Sequence, residues 1–214
     1  MVSLNPEIAE LLGAHAGDGT LYQVGKNTLV WELRGALEEK EYYLDNICPL
    51  LGKIFNLKIT SKFRSGGANG VWGVQTTNKS ITSFFLEYGF LPGTKTYTVF
   101  VPSFILKSDL VIKRAFVRGL FDTDGCLRFD RINKQERRNY PRIEFGLASK
   151  PLRDSLKELT DMLGFRSFIW TDRKNNYRLC FAGKEMLERW IYEIQPKNPK
   201  HLKKYHIWKE QGYY

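Results

Sequence analysis

Leu11-Leu12-Gly13-Ala14-His15-Ala16-Gly17-Asp18-Gly19 and Val117-Arg118-Gly119-Leu120-Phe121-Asp122-Thr123-Asp124-Gly125 are versions of one another. Each is an apolar helical run that closes on Asp-Gly, with a glycine five residues before the aspartate. Asp18 and Asp124 lie 106 residues apart in a chain of 214, half its length. Asp-Gly alone is a common turn signal. Two copies, each at the end of an apolar helix with matching small residues, point instead to a duplicated unit.

The flanking sequence repeats in the same order. Asn5-Pro6-Glu7 opens the first motif helix with a cap, a proline at the first helical position and an acid at the positive end. Gly19 is expected to close it in a left-handed conformation. Alternation of Trp31 and Leu33 with Glu32 and Arg34 predicts a strand over 29–37, paired with 20–24 across Gly25-Lys26-Asn27. A helix over 38–55 distorted by Pro49 follows. Strands are predicted over 57–64 and 71–76, then a helix capped by Asn78 and stopped at Gly89. In the second half the motif helix leads to strands over 126–130 and 142–147. A helix over 151–163 is closed by Gly164, strands run over 165–172 and 177–181, and Lys184–Tyr192 is the last regular helix. The fold class is thus α+β, a pseudo-twofold duplication of an αββαββα unit. The expected divisions are 1–89, a connector over 90–108, 109–194 and a basic C-terminal tail over 195–214.

Composition sets the class of partner. Lys and Arg number 33 against 23 Asp and Glu, a net charge of +10 and a pI of about 9.5. Such a balance suits a polyanion such as nucleic acid. No apolar run approaches the ~18 residues of a membrane span, and no signal peptide is evident, so an intracellular setting is expected, prokaryotic cytoplasm or an organelle. Cys48, Cys126 and Cys180 form no CxxC pair, which argues against structural zinc and disulfides. His15, His201 and His206 form no metal constellation, and His15 reads as a packed residue between helices.

Small residues four apart, Gly13 with Gly17 and Gly119 with Thr123, permit close helix contact. Side-by-side parallel packing would bring Asp18 and Asp124 together. At ~4 Å two such charges repel by roughly 4 kcal/mol at an effective dielectric of 20, and the negative ends of both helices add to that. A divalent cation with oxygen ligands relieves the conflict; magnesium fits, and one or two ions could support phosphodiester hydrolysis.

These residues resemble the LAGLIDADG homing endonucleases of the two-motif, monomeric type. Gly119 to Gly125 is close to the family motif; Leu11 to Gly19 is looser, with Ala16 at the earlier aspartate position. The resemblance implies a monomer with two four-stranded antiparallel sheets forming a DNA-binding saddle, and site-specific, Mg2+-dependent cleavage of double-stranded DNA at a long recognition site. Mn2+ or Ca2+ would substitute in binding. It implies Asp18 and Asp124 as catalytic metal ligands, with the carbonyls of Gly17 and Thr123 as secondary ligands. It also implies basic residues near the metals; the candidates are Arg34, Lys95, Arg128, Lys150 and Lys200. An RNA-intron maturase or a DNA-binding regulator could use the same scaffold, but either could dispense with the carboxylates. The chain neither starts on a nucleophile nor finishes on His-Asn, so a free-standing protein encoded in a mobile element is expected rather than an intein.

Strand alternation then selects a DNA face. In the first half it holds Tyr22, Lys26, Glu32, Arg34, Lys58, Lys62, Arg64 and Gln75. In the second it holds Arg128, Asp130, Arg142, Glu144, Arg166, Trp170 and Arg178. The loop residues Arg131, Lys134, Arg137 and Arg138 and the turn residues Arg173 and Lys174 would touch backbone or flanking bases. Mixed signs suit base reading, since Arg pairs with guanine, Gln with adenine and Glu or Asp with cytosine.

Overall fold

The computed structural model describes residues 3–66, 70–132, 137–173 and 175–214. Helix α1 (Pro6–Gly17) begins where Asn5 Oδ1 accepts the Ile8 N–H at 2.8 Å. It leads into β1 (Gly19–Val24) and β2 (Thr28–Ala36). A helical stretch follows over 37–55: a 3-10 turn, the short α2 (Lys40–Tyr42), a π turn at Tyr43–Ile47 and α3 (Cys48–Phe55). The π turn ends two residues before Pro49, which has no N–H for an ordinary helical bond. Strands β3 (Lys62–Arg64) and β4 (Val71–Thr76) and helix α4 (Lys79–Glu87) complete the half.

After the short α5 (Ser103–Leu106), the order returns as α6 (Leu110–Asp124), β5 (Gly125–Asp130), β6 (Tyr140–Leu147), α7 (Lys150–Met162), β7 (Phe168–Thr171), β8 (Tyr177–Ala182) and α8 (Lys184–Ile194). The two four-stranded antiparallel sheets have the same topology, β1-β2-β4-β3 and β5-β6-β8-β7. Identical strand order in both halves is the duplication read from the motifs.

The motif helices α1 and α6 form the seam between the halves. They run parallel, and their glycines face backbone. A Cβ on Gly119 would overlap Glu10 O and lie 2.8 Å from Ala14 N; one on Gly13 would overlap Phe116 O and lie 3.0 Å from Leu120 N. The core continues without a break from Leu11, Leu12 and Trp31 to Phe116, Leu120 and Phe145.

Several expectations are corrected. Gly19 is not left-handed: it starts β1, and a Cβ there would sit 2.6 Å from His15 Cα, so close approach demands the glycine. The expected strand over 57–64 shrinks to Lys62–Arg64, because Leu57 and Ile59 pack on the core from an unpaired segment. Lys58 therefore lies off the sheet. Phe63 alternates with the predicted face residues Lys62 and Arg64 and so would point to the core, but it sits on an edge strand and is 53% exposed.

The largest correction concerns the C-terminus. The segment expected as an irregular tail holds α9 (Pro199–Gln211), capped by Asn198. Trp208 is buried and stacks on Phe129, and its Nε1 donates to Asn139 O at 3.0 Å. His201 is buried with its ring stacked on Phe121. Trp208→Ala is expected to destabilise the fold by about 3–5 kcal/mol, as large aromatic truncations in a core do. A denaturation midpoint equal to that of the wild type would show α9 to be peripheral.

Candidate active site

Both motif aspartates stand at the paired ends of α1 and α6. Asp18 is the C-terminal cap of α1 and Asp124 the last residue of α6. Gly17 is what allows them to meet: a Cβ there would overlap Thr123 Oγ1 and lie 3.2 Å from Asp124 Cβ. Together they line a cleft of about 620 Å³ with Gly17, Tyr22, Lys95 and the Gly146–Ser149 segment. Burial pushes the Asp18 carboxyl up to about 6, and the charge of Asp124 pushes the same way. Burial also raises Asp124, while Lys95, Lys200 and Arg178 pull it back down.

Of the five basic candidates, two reach these ends. Lys95 Nζ donates to Ala16 O at 2.6 Å and to Gly17 O. Burial lowers its ammonium to about 8, against the upward pull of Asp124 and Asp18. Lys200 Nζ donates to Thr123 O at 2.9 Å and pairs with Glu39 at 2.8 Å. Each lysine is thus bonded to the carbonyl expected from the motif as a secondary metal ligand. Arg34 pairs instead with Glu32 at 3.7 Å, and Arg128 with Asp130 and Glu144 at 3.6 and 3.5 Å. Lys150 opens α7 as an exposed residue and does not line the cleft.

His15 is a core residue. Its Nδ1 accepts the Trp31 N–H at 3.0 Å, its ring lies against Phe85 and Phe90, and burial holds its pKa well below the usual value. It packs against the first sheet and α4 rather than between the motif helices. Among the described residues no group of three or more His, Cys, Asp or Glu side chains could hold a metal. The two carboxylates and two carbonyls at these ends could hold a metal: an all-oxygen set of this kind suits a hard divalent ion completing its shell with water and phosphate oxygens.

The sheets bring most of the predicted face together. Pairing and alternation put Tyr22, Glu32, Arg34, Lys62, Arg64 and Gln75 on one side of the first sheet, with Gln75 Nε2 donating to Tyr22 Oη at 2.6 Å. Lys26 is exposed in the turn. In the second sheet Arg128, Asp130, Arg142, Glu144, Trp170 and Arg178 share a side. Arg166 precedes β7 and is exposed, as are Arg131, Arg137, Arg138 and Arg173, while Lys134 and Lys174 lie outside the described residues.

The two faces differ in charge pairing. On the second, Glu144 meets Arg128 and Arg178, Asp130 meets Arg142 at 2.8 Å, and Asp172 meets Arg178 at 2.7 Å. On the first, the Arg34–Glu32 contact is the ion pair found among the described residues. The second face therefore holds its arginines in fixed poses, while the first leaves more positive charge uncompensated.

No motif or spacing marks Glu39 or Asn198, which the fold buries beside the site with Asp122, the earlier aspartate of the second motif. One signal could have found the lysines: Lys95 lies 78 residues after Gly17, and Lys200 lies 77 after Thr123.

Residues 112–195 match the LAGLIDADG-like domain. The chain is 24% identical over 199 residues to ribonucleoside-diphosphate reductase NrdEB subunit alpha of Bacillus subtilis (strain 168), covering 89% of this chain and 17% of that protein. It is 27% identical over 206 residues to tRNA-splicing ligase RtcB of Pyrococcus abyssi (strain GE5 / Orsay), covering 89% of this chain and 22% of that protein. The chain thus spans about a fifth of the length of these curated relatives. Among solved structures, I-DmoI in complex with DNA and Ca superposes with a TM-score of 0.63 at 17% identity, over 94% of this chain and 97% of the other. Meganuclease I-SmaMI bound to uncleavable DNA gives 0.63 at 11% identity, over 98% and 90%. Residues 112–195 thus match the LAGLIDADG-like domain within a chain that shares the fold of the homing endonuclease I-DmoI.

Proposed function

We propose that this protein is a monomeric, site-specific endonuclease that hydrolyses phosphodiester bonds in both strands of double-stranded DNA. The observation that carries the proposal is the half-buried carboxylate pair at the ends of two parallel helices, with an ammonium group bonded beside each end. A binding module on this scaffold needs no such pair, and burying it costs stability. Neither an RNA-intron maturase nor a regulator accounts for it.

Asp18 and Asp124, with the Gly17 and Thr123 carbonyls, would hold the divalent cation, magnesium in the cell. Bound there, the cation supplies Lewis-acid chemistry at the scissile phosphate. Lys95 and Lys200 give up their carbonyl bonds and turn their ammonium groups to the phosphate, where positive charge meets the charge that develops on its oxygens. Arg34, Arg128 and the other sheet residues bind and orient the duplex. The first sheet supplies more phosphate attraction and the second more base reading. The two halves and the segments that follow them, including α9, act as one unit.

Two further observations support the reading. I-DmoI has been solved with DNA and Mn as well as with DNA and Ca. The curated relatives are named for unrelated reactions yet share this segment, which suits a mobile unit that spreads independently of its surroundings. A DNA substrate suits an intracellular setting, and the cytoplasm of a prokaryote or an organelle is the one proposed.

The test is cleavage selection from a DNA library with magnesium, followed by sequencing of cut ends. One long site cut on both strands is expected, with cutting lost on chelation and DNA binding retained in Ca2+. If cut ends are enriched no more than with an Asp18→Asn/Asp124→Asn control, in magnesium or manganese, the endonuclease reading fails.

A further inference from the structure

Lys200 reaches the second motif through a buried network whose members lie in both halves. Asn198 has no exposed surface. Its Oδ1 accepts the Lys200 backbone N–H at 3.1 Å, and its Nδ2 donates to Asp122 O and to Glu39 Oε1, both at 2.7 Å. Every hydrogen of that amide is used. Asp122, also fully buried, accepts the Lys197 and Asn198 backbone N–H groups at 2.9 to 3.1 Å.

Glu39 comes from the first half. Its Oε2 accepts the Ala36 N–H at 2.8 Å, and its Oε1 takes both Asn198 and the Lys200 ammonium. Gly35 leaves space for it, since a Cβ there would overlap Oε2 and lie 3.0 Å from Cδ. Lys200 is the second residue of α9, where the positive end of the helix disfavours a cation. Glu39 and the Thr123 carbonyl oppose that, so the ammonium stays inward rather than in solvent. Among the described residues the first motif has no such buried network; the segment that carries Lys95 is held instead to α7, where Ser149 Oγ donates to Val99 O at 2.6 Å and the Val101 N–H donates to Ser155 Oγ at 2.9 Å. Ala16 stands where the second motif has Asp122, and among the described residues Lys95 has no ion pair within 4 Å.

We propose that Glu39, Asn198 and Asp122 are positioning residues that carry Lys200 to the end of the second motif, so that cleavage of one DNA strand depends on this buried network between the halves and cleavage of the other does not. This rests on the endonuclease reading above.

Single-turnover rates are measured for each end-labelled strand of the selected target, at saturating enzyme and magnesium. Glu39→Gln and Asn198→Ala are expected to slow the strand that Lys200→Ala slows, by about tenfold or more, the scale for losing a group that orients a reacting one. The other strand and DNA affinity in Ca2+ are expected to stay close to wild type. The Lys200→Ala/Glu39→Gln double variant should be no slower than Lys200→Ala, since both changes remove one function. Equal slowing of both strands, or additive losses, would mean a merely structural role.

A second measurement does not need cleavage. Acetylation by an N-hydroxysuccinimide ester, read by mass spectrometry, should rise severalfold at Lys200 in Glu39→Gln relative to Lys95 in the same sample. Unchanged labelling at Lys200 overturns the positioning role. If the wild type cuts no DNA while the labelling rises, the endonuclease reading falls and the positioning stands.

Discussion

Asp18→Asn combined with Asp124→Asn is expected to abolish DNA cleavage and, in the metal-free protein at pH 8, to raise stability. The cleavage loss should be ~10³-fold or more, the scale for removing an electrostatic group at a developing charge. The stability gain follows from the carboxyl environment. Asp18 is raised from 3.8 to about 6, first by burial and then by the charge of Asp124. The folded chain therefore binds this proton more tightly than the unfolded chain does. Below pH ~4 both states carry it and there is no penalty. Between ~4 and ~6 the folded state loses its advantage, and above ~6 the penalty is complete.

A shift of this size is worth roughly 3 kcal/mol as a ceiling, reduced by whatever solvent reaches the carboxylate. The neutral amide of the Asp18→Asn variant carries none of this penalty, so the gain over wild type should be present at pH 8 and vanish near pH 4. Thermal melts across that range check the sign. A variant that is destabilised at pH 8 would show the pair to be structural rather than held at a cost for function.

Gly119→Ala, and separately Gly13→Ala, should each cause a large loss of stability. Two effects oppose each other. Alanine in a helix interior is favoured over glycine by about 0.5–1 kcal/mol. Against this, the new methyl would overlap Glu10 O or Phe116 O, which are backbone atoms of the facing helix. No rotamer change relieves that clash, so the helices must part. Overpacking typically costs about 1–3 kcal/mol even where side chains can give way, so about 3 kcal/mol or more is expected here and the steric cost wins. Parting the helices also separates Asp18 from Asp124, so cleavage should fall more steeply than the folded fraction. The double variant should lose less than the sum, since the first separation makes room for the second methyl. A chemical-denaturation series checks the magnitude, and a neutral Gly119→Ala would refute the seam.

How far the site could be read in advance differs from residue to residue. Asp18 and Asp124 were legible because each closes an apolar helix at a repeated offset. The helices were legible because small residues at Gly13, Gly17 and Gly119 leave few other reasons for their spacing. The sheet faces followed from period-two alternation, which is a local property of the backbone. It failed at β3, where an edge strand of three residues carries too little pairing to fix which side is buried.

Local pattern alone therefore determined the duplication, the motif carboxylates and most of the sheet faces, because helix and strand periods are written in neighbouring residues. Only the tertiary structure decided which lysines reach the motif ends, that residues 199–211 form a helix packed on the second sheet, and that Glu39, Asn198 and Asp122 meet behind Lys200. Those contacts join residues 76 to 159 positions apart. Sequence pattern carries no trace of such a pairing, since any buried acid or amide has many possible partners until packing removes all but one.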